Sequence, residues 1–161
     1  MHTAFIALGS NLDGPEGKVR QGIAALAELP QTRLLAASSL YRSAPVGHAD
    51  QPDFVNAVAQ LATVLAPQDL LAALLAIEHD FGRERTFRNA PRTLDLDLLL
   101  YDEQCINEPG LALPHPRMHQ RAFVLAPLLE IAPACVIPGI GPAADWLARC
   151  TDQALVRLAA Q

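Results

Sequence analysis

The sequence predicts an α+β fold, an antiparallel sheet carrying helices on one face. Two periodicities lead there. Apolar residues alternate with period two over 54–63 and 94–98, as in half-buried strands. They recur at helical spacing over 19–29 and 70–81, as in helices with one buried stripe. The order of these segments, β-α-β-β-α-β followed by further helices, matches the split βαβ, or ferredoxin-like, plan. That plan leaves the second sheet face free to carry a site. With 161 residues and no repeat, linker or low-complexity stretch, the chain is expected to be one domain over 1–161 with a proper core.

Taken in order, Thr3 to Leu8 is a short apolar run ending at Gly9-Ser10-Asn11, a buried strand and a turn. Val19, Ile23, Leu26 and Leu29 make a helical stripe, with Asp13, Pro15 and Glu16 suited to its start and Pro30 ending it. Arg33 to Arg42 reads as a strand, broken by a loop from Ser43 to about Pro52. In the strand from Phe54 to Thr63, Phe54, Asn56, Val58 and Gln60 share one face and Val55, Ala57, Ala59 and Leu61 the other. Pro67 and Asp69 open a helix with the stripe Leu70, Leu74, Ile77 and Phe81, and Gly82 is suited to stop it. A strand over 94–101 follows. Met118 to Ile131 reads as a helix kinked or divided by Pro127. Pro142 to Cys150 suits a short helix and Leu155 to Leu158 a last strand.

Composition excludes several function classes. The net charge is −5 and no basic face lies outside one loop region, which disfavours nucleic acid as a partner. No apolar run approaches the ~18 residues of a membrane span, and the N-terminal segment lacks the basic region of a signal peptide. Cys105, Cys135 and Cys150 are odd in number, widely spaced and without a CxxC pattern, so they read as reduced thiols. A cytoplasmic protein is expected.

The chemistry concentrates between Gly82 and Leu100. Over Gly82 to Pro91 there is neither helical nor strand period, and arginines are dense: a loop. From Leu94 to Leu98 alternation is strict, so Asp95 and Asp97 share a strand face with Cβ atoms roughly 7 Å apart. Paired carboxylates repel unless a cation lies between them or one is protonated. Alternating Asp on a strand is commonly just a solvated face. Here, however, Arg83, Arg85, Arg88, Arg92, Arg117 and Arg121 reverse the sign of the chain's charge locally, and Lys18 is its sole lysine. Guanidinium forks beside paired carboxylates suit a magnesium–polyphosphate site.

Competing chemistries fit less well. At Gly17-Lys18, Leu12 stands where a P-loop needs its first glycine and Val19 where it needs Ser or Thr. A glycosidase needs opposed carboxylates, one with a raised pKa, whereas adjacent arginines favour two ionised groups. In a second cluster, His115 lies between Pro114 and Pro116, near Arg117 and Arg121, in a setting suited to an anion. Phe54 with Asn56, and Phe123, have ordinary core roles as their default. An aromatic beside an amide that both donates and accepts also suits a flat, edge-polar heterocycle.

The run Arg88-Asn89-Ala90-Pro91-Arg92-Thr93-Leu94-Asp95-Leu96-Asp97-Leu98-Leu99 resembles the signature of the 6-hydroxymethyl-7,8-dihydropterin pyrophosphokinases of folate biosynthesis. The likeness extends over essentially the whole chain, through Ala7-Leu8-Gly9-Ser10-Asn11-Leu12, Tyr41-Arg42-Ser43-Ala44-Pro45, Gln51-Pro52-Asp53-Phe54-Val55-Asn56-Ala57, Glu78, Gly82-Arg83, Pro114-His115 and Arg121. It implies a ferredoxin-like fold and transfer of the β,γ-pyrophosphoryl group of ATP to the pterin hydroxymethyl oxygen, releasing AMP. Asp95 and Asp97 would hold two Mg²⁺ ions. Arg83 and Arg92 would stabilise charge on the phosphates, with Arg85, His115 and Arg121 binding ATP and Glu78 at the nucleotide site. The pterin would lie between Phe54 and Phe123, with Asn56, Asp95 and the segment Ser43, Ala44, Pro45 and Val46 at its polar edge. A monomer acting on small molecules is expected. A non-catalytic ferredoxin-like nucleotide-binding module is the alternative, separated by whether AMP forms from ATP, Mg²⁺ and pterin.

Three positions depart from the family pattern. Asn89 stands where many members have Trp, Pro116 where a Tyr often follows the Pro-His pair, and Leu75 where some have Gln. In the arginine loop, Phe87 is the aromatic available to cover a closed site in place of the missing Trp.

Overall fold

The computed structural model describes residues 1–12, 14–44, 52–82 and 94–159. The arginine loop, with Arg83, Arg85, Phe87, Asn89 and Arg92, lies outside the described residues, as do Pro45 and Val46. The order is β1 (His2–Ser10), α1 (Pro15–Ala27), β2 (Thr32–Ala37), β3 (Tyr41–Ser43), β4 (Phe54–Thr63), α2 (Pro67–Asp80) and β5 (Asp95–Tyr101). Then come β6 (Ile106–Glu108), β7 (Leu111–Leu113), a 3-10 turn (Met118–Gln120), α3 (Ala122–Ile131), β8 (Val136–Ile137), β9 (Gly141–Pro142), α4 (Ala143–Leu147) and β10 (Leu155–Arg157). The main sheet runs β10-β3-β4-β1-β5, all antiparallel, with β2 also on β4. The expected α+β plan is what the chain adopts.

One sheet face carries Ala4, Ile6, Leu8, Ala57, Ala59, Leu96 and Leu98 against Val19 and Leu26 of α1 and Leu70 and Leu74 of α2. The close seating of α1 depends on Gly22, where a Cβ would come within 3.0 Å of Leu8 Cδ2 and Leu94 Cδ2. Larger residues there would push the helix off the sheet.

The other face is not free, as the split βαβ plan alone suggests. Ala7, Val58 and Leu99 pack there against Val124, Leu125 and Leu128 of α3, with α4 behind. The near end of that face, where β1 offers only Gly9 and Ala7, stays open. The site sits in this gap.

Other elements differ from expectation, the short β8–β9 pair among them. The strand expected over Arg33 to Arg42 is two strands, both paired to β4. Between them the Ser38 amide still donates to Val58 O at 2.9 Å, but Ser38 Oγ accepts the Val58 amide at 2.9 Å and Glu130 of α3 takes the Ser39 amide, so side chains take over part of the ladder. The division within Met118 to Ile131 falls at Arg121 and not at Pro127, which lies inside α3. Arg121 is extended (φ −120°, ψ 108°) and ends the 3-10 turn. The β6–β7 hairpin was not foreseen, although Pro109-Gly110 marks its turn and Gly110 takes a φ of 81°.

Candidate active site

Two antiparallel pairings assemble the floor of the site. Gly9 of β1 is opposite Asp95 on one side and Asn56 on the other. Ala7 is likewise opposite both Asp97 and Val58. Directly opposed residues share a sheet face, so both aspartates and the Asn56 amide stand on the face that α3 only partly covers. A Cβ on Gly9 would be 3.3 Å from Asn56 Oδ1, so the missing side chain is what keeps the floor open between amide and carboxylate.

Above this floor is a cleft of about 920 Å³. Phe54, Asn56 and Ser43 line one side, Asp95 and Asp97 another, and Arg121 and Phe123 the helical wall. Asn56 is 4% exposed and donates Nδ2–H to Ser43 Oγ at 2.7 Å, which fixes the orientation of its amide. Its carbonyl faces Gly9. The Arg121 guanidinium lies 5.6 Å over the Phe123 ring, so the wall presents cation and aromatic together. Ala44 also lines the cleft.

A second cleft of about 340 Å³ opens on the outer side of β5, lined by Leu71, Leu98, Leu111, His115 and Asp97 among others. Asp97 lines both clefts. His115 is held by its amide to Leu99 O at 2.9 Å and accepts the Arg117 amide on Nδ1 at 3.2 Å. Burial pushes its imidazole below the ordinary value; Asp97 pulls upward, and Arg121 and Arg117 push further down. The net shift is downward, which favours the neutral form of the ring near the two guanidinium groups.

Glu78 is placed differently from the other expected site residues. It is 3% exposed, lines neither cleft, and its Oε2 accepts the Leu96 amide at 2.7 Å. It holds the backbone of β5 between the two aspartates. The structure thus gathers Ser43, Ala44, Phe54, Asn56, Asp95, Asp97, Arg121 and Phe123 at one cleft and His115 at the other. Arg117, expected near an anion, also lines the cleft; Gln120, Asp152 and Gln153 beside it were not anticipated.

The donor set suits magnesium. Among the described residues no group of three or more His, Cys, Asp or Glu is gathered for a metal. A pair of carboxylates on one strand leaves most of an octahedral shell to water and substrate oxygens, as Mg²⁺ prefers. Among these residues no helix is long and apolar enough to cross a membrane.

The model of the 7,8-dihydro-6-hydroxymethylpterin-pyrophosphokinase (HPPK) family matches residues 5–133. The chain belongs to this family. Membership makes it a pyrophosphokinase, a transferase that uses ATP in folate biosynthesis. It is 50% identical over 154 residues to the 2-amino-4-hydroxy-6-hydroxymethyldihydropteridine pyrophosphokinase of Pseudomonas aeruginosa, covering 96% of this chain and 95% of that one. To the protein of the same name from Haemophilus influenzae it is 44% identical, covering 98% and 99%. In fold it is similar to an HPPK-DHPS crystal structure in complex with substrates, with a TM-score of 0.75 at 11% identity. That match covers 94% of this chain and 43% of the other. Plasmodium falciparum HPPK-DHPS A437G gives a TM-score of 0.75 at 13% identity, covering 94% and 46%.

Proposed function

We propose that the two clefts of this pyrophosphokinase divide its substrates, pterin in the larger and nucleotide in the smaller, with Asp97 between them. Asp97 carries this reading, because it alone of the two aspartates lines both. The acceptor is the hydroxymethyl group of 6-hydroxymethyl-7,8-dihydropterin, and AMP leaves. The pterin ring lies against Phe54 and Phe123, its polar edge reading the Asn56 amide and the Ser43 to Val46 segment. Such an edge leaves an amide few alternatives: a ring without donors and acceptors strands a buried group at a cost of about 1–3 kcal/mol.

Asp95 and Asp97 would hold two Mg²⁺ ions. Magnesium bound there would neutralise phosphate charge and lower the pKa of the attacking hydroxyl. His115 orients the nucleotide in the smaller cleft, while Arg121, on the wall of the larger one, reaches its phosphates where the two clefts meet at Asp97; Arg83 and Arg92 stabilise charge on the phosphates and Arg85 contributes to ATP binding. The protein has only to align hydroxyl and phosphorus and exclude water, since phosphoryl-type transfer asks for position and charge more than covalent chemistry. Glu78 serves the nucleotide through the strand it braces. The chain acts as a single 1–161 domain, a monomer in the cytoplasm.

Incubation with ATP, Mg²⁺ and the pterin, followed by chromatography, tests the reaction. AMP should appear only when both metal and pterin are present. Pterin-independent AMP, or none at all, overturns it. For the division of clefts, a fluorescent pterin should bind without nucleotide and be weakened by Phe123→Ala; displacement of that pterin by ATP would place both in one cleft.

A further inference from the structure

The family match ends at residue 133, yet the cleft wall does not. The turn before β10 brings Asp152, Gln153 and Ala154 to its mouth. There the Gln153 amide makes two bonds at once: Oε1 accepts the Ala122 amide at 2.8 Å, and Nε2 donates to the Gln120 carbonyl at 2.8 Å. These backbone groups belong to the neighbours of Arg121 on either side. Arg121 is the N-cap residue of α3 and supplies no side-chain cap of its own. The first amides of a helix lack partners within it, and the one at Ala122 finds its acceptor in a side chain from a distant turn. Gln153 is itself fixed, because Leu155 two residues on is paired with Ser43 in β3.

We infer that Gln153 is a positioning residue for Arg121: it clamps the backbone on both flanks and so aims the guanidinium into the cleft. The clamp bears on Phe123 as well, the next residue but one, over whose ring that guanidinium lies. The inference rests on the reading of Arg121 as a nucleotide-binding residue. It adds to the machinery a part that lies outside the family-matched segment.

A double-mutant cycle in the full-length chain tests it, with calorimetric titration of a non-hydrolysable ATP analogue and Mg²⁺. Gln153→Ala should weaken analogue binding by about five- to tenfold, the loss of two modest hydrogen bonds' worth of positioning. Arg121→Ala should weaken it at least as much. In the Arg121→Ala background, Gln153→Ala should cost nothing further, because the group it aims is gone. A purely structural role would instead add its full loss in that background, and that result overturns the inference. Gln153→Glu keeps the volume and the acceptor for Ala122 but loses the donor to Gln120; it should show the same dependence on Arg121, and serves in the cycle if Gln153→Ala does not fold. Normal binding by both Gln153 variants beside a weakened Arg121→Ala removes the role of Gln153 alone. Normal binding by Arg121→Ala removes the nucleotide role of Arg121, and that of Gln153 with it.

Discussion

Glu78 Oε2 accepts the Leu96 amide at 2.7 Å, and Leu96 separates Asp95 from Asp97. A buried carboxylate on α2 thus secures the outer edge of the strand that carries both aspartates. β5 ends the sheet, so this amide faces away from β1 and has no ladder partner there.

Replacing Glu78 should therefore act first on stability. Glu78→Ala leaves a buried amide without its charged acceptor, at a cost of about 2 kcal/mol. Glu78→Gln, which keeps a carbonyl acceptor, should cost less than half of that. Urea unfolding of the two variants checks this. A Glu78→Ala protein that melts normally yet binds ATP weakly would mean that the carboxylate meets nucleotide directly.

Asp95→Asn and Asp97→Asn should behave in the opposite way. Both side chains point into the cleft and away from the Leu96 and Leu98 core. Folding should be untouched while turnover falls on the order of 10³-fold, several kcal/mol of transition-state stabilisation. Circular dichroism with steady-state AMP assays, repeated at raised Mg²⁺, measures both. Near-normal kcat in either folded variant sinks the two-metal reading.

Gly9→Ala separates site geometry from fold. Its Cβ would stand 3.3 Å from Asn56 Oδ1, a tight contact with a side chain that the Ser43 bond holds in place. We expect pterin affinity to fall by about tenfold as the amide is displaced, with ATP affinity and melting temperature little changed. Titrations of each ligand decide it; equal losses for both would mean that the floor serves the nucleotide too.

Phe123→Ala should weaken pterin binding by the stacking it removes, roughly 1 kcal/mol, and leave ATP nearly alone. Asn56→Ala should weaken pterin similarly. It should also lower stability, because Asn56 is buried and the Ser43 hydroxyl loses its donor. Paired titrations and melting curves distinguish the two.

The fold was legible wherever one periodicity ran unbroken. The two-residue repeat from Leu94 to Leu98 gave both the strand and the shared face of its aspartates, and Phe54 to Thr63 gave the face of Asn56. What stayed hidden depended on distant partners. Nothing local in Arg33 to Arg42 says that Ser38 and Ser39 will bond Val58 and Glu130 and so split the strand. Nor does Arg121 announce a helix start, since its neighbour's amide is met by Gln153 from 31 residues on. The bond from the Leu96 amide to Glu78 was hidden for the same reason, since no local pattern pairs a helix carboxylate with a strand amide.

The junction of α3 with β3 should make stability fall at both ends of the pH range. Tyr41 donates its hydroxyl to Glu130 Oε1 at 2.7 Å, and Glu130 also accepts from Ser39 and pairs with Arg157 at 3.5 Å. Burial, then the hydrogen bond and charge of Glu130, push the Tyr41 pKa up from 10.0 to about 12. A folded-state pKa above the unfolded one stabilises below pH 10 and is lost as pH rises through about 12. For Glu130, burial alone would raise the pKa, but the bonds from Tyr41 and Ser39 and the Arg157 charge outweigh it and hold it below 4.5. That contribution is present above pH 4.5 and lost as pH falls through the depressed value. Tyr41→Phe should cost about 1 kcal/mol near neutrality. Its deficit against the parent should shrink between pH 10 and about 12, because only the parent then loses the bond. Tyr101, also raised by burial and Asp102, keeps titrating in both proteins and cancels in the difference. Urea unfolding of the pair at neutral and alkaline pH checks the sign; a deficit that stays constant across this range would mean that the Tyr41 hydroxyl is not bound to Glu130 in solution.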